Sequence, residues 1–402
     1  MTHRDKPFVL HGLPEKVIFC TRCVMSNQRP STSPELRKKN STIATVGFDE
    51  DGVCHACRFL EIKKQIDWRA REEQLVALLD RHRRHDRWDV VVPGSGGKDS
   101  AYVSDVLKRR YGMNPLTVTW PPHAYTDIGW KNFQQWLRKG GFDNITLTPN
   151  PRIHAVLTRL AFLNLLNPFQ PFIIGQKNLA ARVALQEGIP LIMYGENQAE
   201  YHNTLAENAS PLMNLAHYTA KPGQEHFFGG VSETGLQEFG VGRKDLAPYL
   251  PIAEGAAIDA GIEIHYMSYY HEWKPQENYY YAVEHTGFEP NPVRSEGTYS
   301  KYASLDDRVD GFHYYTMFVK FGQGRAMNDA AHEIRDGHIS REEAVALVHK
   351  YDGEFPARHF AEFLAYINIT EPQFFEAVDR NRSPHLWDLA PNGDWVLKHR
   401  VR

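Results

Sequence analysis

No cysteine follows Cys57 in this chain of 402 residues. Beyond that point there is no thiol to act as a glutaminase nucleophile, a sulfur carrier or a cluster ligand. An excess of positive charge is lacking too: 46 Lys and Arg stand against 49 Asp and Glu, a net charge of −3, with an isoelectric point near 6.7. Such a balance gives no global field to hold a nucleic-acid backbone, so no nucleic-acid partner is expected. Apolar stretches such as Leu191 to Tyr194 fall far short of the ~18 residues that a membrane-spanning helix needs, so no membrane partner is expected either. The first residues, Met1 to Lys6, lack the apolar core of an export signal, so a cytoplasmic location is expected. Internal repeats and low-complexity tracts are missing. With 42% hydrophobic residues there is enough apolar side chain for a buried core, which excludes a disordered or fibrous protein.

The cysteines that are present form two pairs, Cys20-x-x-Cys23 and Cys54-x-x-Cys57. Each turn aims two thiolates at one point, and two turns complete the S4 set that structural zinc selects; in a reducing compartment two disulfides are the poorer reading. Asp51 and Gly52 provide the turn that opens the second pair.

From Asp67 onward, helical and strand periods alternate. A charged, leucine-bearing helix (67–84) leads to the strand Trp88 to Val92, a helix (101–110), a strand (115–120), a helix (130–138), a strand (145–147) and an apolar helix (153–166). A short strand (172–174), a helix (179–187) and a buried strand (189–194) follow. This alternation predicts an α/β fold with a doubly wound parallel sheet. Residues 201–300 turn aromatic, with Tyr269, Tyr270, Trp273, Tyr279, Tyr280 and Tyr281 close together; such a stripe is more often core than a binding platform. The tail is helical, with Ser340-x-x-Glu343 as a capping box. The expected division is a zinc-binding lobe (1–66), a nucleotide-binding sheet domain (67–200), an aromatic substrate or partner insertion (201–300) and a helical region (301–402).

Between the strand and helix lies Pro93-Gly94-Ser95-Gly96-Gly97-Lys98-Asp99-Ser100. Glycines let backbone N–H groups face an anion, the hydroxyls of Ser95 and Ser100 add donors, and the helix dipole adds partial positive charge. The spacing is not that of the Walker loop, and Asp99 stands where Ser or Thr would hold magnesium. It matches the S-G-G-x-D-S loop of the ATP pyrophosphatases, which resemble one another in splitting ATP between the α and β phosphates. Two further expected strand ends, Gly175-Gln176-Lys177-Asn178 and Gly195-Glu196-Asn197-Gln198-Ala199-Glu200, fit the same site. Arg325, Asp329 and Glu333 share one helical face, read equally as a ladder of ion pairs or as a grip on a carboxylate or diphosphate.

From about Phe19 to Pro356 the chain resembles the WbpG- and PseA-like N-acetyl sugar amidotransferases of lipopolysaccharide and flagellin sugar biosynthesis. The resemblance rests on the two cysteine pairs, the Ser95 to Ser100 loop, Tyr125-Thr126-Asp127, Gly175-Gln176, Gly195-Glu196-Asn197, Gly297-Thr298-Tyr299-Ser300-Lys301-Tyr302 and Gly324-Arg325-Ala326 with Asp329 and Glu333-Ile334-Arg335. It implies a PP-loop ATP pyrophosphatase fold that converts the acetamido group of a nucleotide-linked sugar to an acetamidino group with ATP, magnesium and ammonia. The nucleotide would be held by Ser95, Gly96, Gly97, Lys98, Asp99, Ser100, Gly175, Gln176, Asn178, Gly195, Glu196 and Asn197, with Asp99, Lys98 and Ser95 catalytic and Asp99 on magnesium. Glu200, Tyr299, Lys301, Asp306 and Arg325 are candidates for the sugar. The missing thiol implies a partner glutaminase resembling that of histidine biosynthesis, accompanied by its cyclase-like barrel, with residues 269–281 as a landing surface. The rival reading, a zinc-containing PP-loop enzyme that thiolates tRNA, wants further cysteines and a basic surface that this chain lacks.

Overall fold

The computed structural model describes residues 8–30, 45–197 and 210–402. Its centre is a five-stranded parallel sheet of β1 (Val90–Pro93), β2 (Pro115–Thr119), β3 (Asp143–Thr146), β4 (Leu191–Tyr194) and β5 (Glu263–Tyr266), in the order β3-β2-β1-β4-β5. Pairing aligns Val91 with Leu116 on one side and with Ile192 on the other. Strand side chains alternate between the faces. Val91 and Ile192 therefore join one apolar cluster, with Leu157 and Leu179 from helices on one face, while Val90, Val92 and Met193 join another, with Leu78 and Val103 from helices on the other. Both faces are covered, which explains the unbroken Val-Val-Val run. The longer helices are α1 (His55–Lys63), α2 (Trp68–His82), α3 (Lys98–Arg109), α4 (Asp127–Gly140), α5 (Pro151–Leu165), α6 (Gln170–Glu187) and α7 (Pro275–Thr286). The tail adds α8 (Asp310–Phe321), α9 (Arg325–Arg335), α10 (Arg341–Tyr351), α11 (Phe360–Ile367) and α12 (Glu371–Arg380), then an antiparallel hairpin of β6 (Trp387–Leu389) and β7 (Trp395–Leu397).

Two expectations change. The strand at 172–174 does not form; those residues lie in α6. Phe172 and Ile174 have strand-forming character, but Pro171 sits in the first helical turn, where its fixed φ suits a helix start. Phe172 and Ile173 then find apolar partners among the C-terminal helices. The sheet, expected to be complete by residue 200, takes its fifth strand from 263–266, so residues 201–300 are not a separate insertion. The aromatic stripe is mostly core, as its composition suggested. Tyr270 and Trp273 are buried against the sheet, Tyr269 packs on the same cluster, and Tyr280 is the exposed member at 61%. The capping box forms as read, Ser340 Oγ accepting from Glu343 N at the start of α10.

The N-terminal lobe packs on the tail. Cys20, Cys23, Cys54 and Cys57 form one cluster with Met327, Ala330 and Ala331 of α9 and Ala344 and Val348 of α10. No helix among the described residues is long and apolar enough to cross a membrane.

Candidate active site

The glycine-rich loop turns where β1 ends. Gly96 has φ of +84°, and a Cβ there would come 2.8 Å from the Phe133 backbone, so the turn demands glycine. Gly97 occupies the N-cap position of α3 with no side-chain hydrogen bond to the first-turn N–H groups. Those donors, and the positive end of the helix dipole, remain for an anion.

Two adjoining cavities open here. The first, about 630 Å³, is lined by Gly94, Ser95, Gly97, Asp99 and Ser100 of the loop, Gln176 and Lys177 of α6, and Gly195, Glu196 and Asn197 beyond β4. The second, about 510 Å³, shares Ser95, Gly97, Asp99, Gln176 and Glu196 with it and extends under the tail, where Asp306, Asp310, His313, Arg325, Asp329 and Glu333 line the wall. The loop is thus a common partition between them. Ser95 Oγ donates to Asp306 Oδ2 at 2.7 Å, tying the phosphate loop to the second cavity.

Segment 305–307 is stitched to the sheet's carboxyl edge. Thr126 N donates to Asp306 O at 3.1 Å, and a Cβ on Gly129 of α4 would stand 2.5 Å from Asp306 Cα. Asp307 is consumed in scaffolding: its carboxylate accepts from His123 N and Nδ1, both at 2.7 Å, from Ala124 N at 3.3 Å and from Val309 N at 3.0 Å. Asp352 does the same for α9, accepting from Gly324 N at 2.7 Å. On α9 itself, Arg325 Nε meets Asp329 Oδ1 at 2.9 Å, its guanidinium also reaches the Tyr314 hydroxyl, and Asp329 accepts from Thr298 Oγ1 at 2.7 Å.

Burial shapes the titration of this site. Lys177 is pushed down to about 8 by desolvation. Glu333 is pushed up to about 7, first by burial and then by the neighbouring Asp329 carboxylate. His313 falls to about 3 through burial and stays neutral at physiological pH. Lys98 pairs with Asp99 Oδ2, whereas Asp99 Oδ1 is buried without a hydrogen-bond partner. An oxygen left so beside an uncapped helix N-terminus suits a hard cation.

Not every candidate faces a cavity. Gly96 shapes the turn. Gly175 packs under Trp120, whose ring a Cβ would meet at 2.3 Å. Asn178 is turned away, donating to Tyr249 O at 2.7 Å. Lys301 is exposed outside both cavities, and Tyr299 packs toward the cysteine lobe. Gln198, Ala199 and Glu200 lie outside the described residues. Sequence reading missed Asp310, His313 and Asn328, and Arg29 of the N-terminal lobe, all on the second cavity's wall. Arg29 carries no local signal, because a chain crossing brings it there. Lys177 had one in its place beside Gln176.

The four cysteines are buried with their sulfurs within 4.8 Å of one another. Cys20 and Cys57 sulfurs are 3.9 Å apart and those of Cys23 and Cys54 3.7 Å. Thiolates about 2.3 Å from a shared metal lie roughly 3.8 Å apart at tetrahedral corners. Backbone N–H groups of Arg22 and Cys54 point at the Cys20 sulfur, at 3.4 and 3.3 Å, as negative sulfur favours. The set fits a tetrahedral metal.

Residues 296–402 match the family described as "LPS biosynthesis protein WbpG-like, C-terminal domain". No curated protein matches the chain significantly. Among solved structures, NMN synthetase from Francisella tularensis is similar at 12% identity and a TM-score of 0.26, over 68% of this chain and 94% of that one.

Proposed function

We propose that this chain, whose C-terminal quarter is a WbpG-like domain, is an ATP-dependent amidotransferase that turns the acetamido group of a nucleotide-linked sugar into an acetamidino group. The observation that carries the reading is the shared partition: an uncapped helix N-terminus and glycine loop open on one cavity, while the WbpG-like segment supplies most of the charged wall of the other. ATP suits the first cavity and the acetamido sugar the second, so that the α-phosphorus meets the amide at Ser95, Gly97 and Asp99.

An amide carbonyl is a poor electrophile and its oxygen a poor leaving group. Attack of the amide oxygen on the α-phosphorus forms the C–O–P linkage and releases pyrophosphate toward the donors at Gly97 to Ser100. The imidate then accepts ammonia, and AMP departs. Stabilisation of charge by preoriented donors is what the loop provides. Lys177 gives positive charge to the phosphates from the far side of the cavity. Asp99, through its open Oδ1, would hold magnesium, which neutralises phosphate charge when bound. The four cysteines would hold a structural zinc. Ammonia would come from a partner glutaminase of the kind that pairs with a cyclase-like barrel, because no cysteine follows Cys57. Of the aromatic residues expected as its landing surface, Tyr280 is exposed, Tyr269, Tyr279 and Tyr281 are half-buried, and Tyr270 and Trp273 are buried. Surface-polysaccharide assembly is the setting that the WbpG-like domain supports.

The test is product analysis with acetamido nucleotide sugars, ATP and either ammonium or glutamine. AMP and pyrophosphate are expected in equal amounts with ammonium, together with an amidine product; glutamine alone should give none. ADP as the stoichiometric product, or glutamine use by the isolated chain at the ammonium rate, would overturn the reading.

A further inference from the structure

Ammonia is mostly ammonium at neutral pH and cannot attack until it loses a proton, so the acceptor cavity needs a base. Among its carboxylates most are committed. Asp306 receives the Ser95 hydroxyl, Asp307 holds His123 and three backbone N–H groups, Asp329 holds Arg325 and Thr298, and Asp99 pairs with Lys98. Among the described residues, Glu333 holds no cation and no backbone N–H; its partners are the phenols of Tyr299 and Tyr302. It lies on the cavity wall two turns along α9 from Arg325, on the face that Asp329 shares.

We propose that Glu333 is the base that takes a proton from incoming ammonium in the acceptor cavity. The step rests on the amidotransferase reading above. Ammonium gives one proton to the Glu333 carboxylate; the freed nitrogen pair forms a C–N bond to the imidate carbon; the C–O bond breaks and its electron pair leaves with AMP. Of the three remaining ammonia hydrogens and the one on the former amide nitrogen, three stay on the two nitrogens of the amidinium product and one is lost to solvent, to which Glu333 also returns its proton.

The environment of Glu333 suits that task. Burial and the carboxylates of Asp329, on its own helix, and Asp336, just past the helix end, raise it to about 7, while the phenols of Tyr299 and Tyr302, from the preceding segment, temper the rise. A base near the working pH both takes and returns a proton. Asp310, also on the cavity wall, is pushed well above the usual carboxylate range by burial and by the Asp306 and Asp307 carboxylates, against the pull of Arg325. Tyr299 thus acts from behind the wall, supporting Glu333.

Hydroxylamine discriminates, because it is already unprotonated at neutral pH and needs no base to become a nucleophile. With Glu333→Gln, the ammonium-dependent rate should fall on the order of a hundredfold, whereas the hydroxylamine-dependent rate should stay within a fewfold of the wild type. Glu333→Asp, which keeps a carboxylate, should recover part of the ammonium rate. Parallel loss of both nucleophiles in Glu333→Gln, or no loss with ammonium, would overturn the assignment while leaving the amidotransferase reading intact. A wild-type chain that forms no AMP and pyrophosphate with either nucleophile would overturn both.

Discussion

In the proposed reaction a single desolvated charge, Lys177, sets a condition for ATP binding. Its amine lines the cavity proposed for the nucleotide and is held down to about 8 by desolvation. The charged form, which attracts phosphate, is therefore present below that pH and is lost as pH rises through it. Because kcat/KM reports groups of the free enzyme, kcat/KM for ATP should decline above pH about 8. Lys177→Met should lower that parameter at neutral pH by roughly 10- to 100-fold, the worth of one charge-assisted hydrogen bond, and remove the alkaline decline. A variant that keeps the decline would assign it to another group. Residue chemistry of this kind was only half readable beforehand: the sequence places Lys177 next to Gln176, but burial, which supplies the shift, appears only when α6 packs against β2.

At the scale of elements, the phosphate loop and cysteine quartet were legible because each depends on local spacing. Val90 to Val92 and the glycines specify a strand, a turn and a helix start without outside help. The second cavity was not, because its parts come from 29, 95, 167–176 and 300–336 and meet only through tertiary packing. The misread strand at 172–174 shows the same limit. β-branched and aromatic residues there look strand-like, yet they are buried by contacts with distant helices, and the helix that results carries Gln176 and Lys177 to the cavity. Packing between α4 and segment 305–307 is the most exacting of these contacts. Gly129→Ala would put a Cβ within 2.5 Å of the Asp306 backbone, displacing the segment from the loop. The expected cost is about 1–3 kcal/mol of stability, with the KM for the acetamido sugar rising more than that for ATP. Thermal unfolding and the two KM values check it; equal changes in both would mean the segment serves the two cavities alike.

Over the whole molecule, the cysteine lobe and the sheet grip opposite sides of the same tail. One side of α9 carries Met327, Ala330 and Ala331 into the cysteine cluster, and the other carries Arg325, Asp329 and Glu333 to the acceptor wall. Lys63 at the end of α1 adds a tether, donating to Trp273 O at 3.0 Å beneath the sheet's other edge. The nucleotide cavity, by contrast, is framed mostly by β1, α3, α6 and β4, which draw their support from the sheet's own two clusters. A metal in the quartet would therefore be remote from the chemistry yet would fix one of its two walls. Structural zinc contributes folding free energy of ~10–16 kcal/mol in small domains, enough to decide whether the lobe is ordered. Chelation, or Cys54→Ser, should thus lower the melting temperature and abolish acceptor binding while ATP analogue binding persists within a fewfold. Metal analysis of the untreated protein should find one zinc per chain. Loss of both ligands together would mean that the sheet itself depends on the lobe, and purified protein free of metal would remove the quartet from this account.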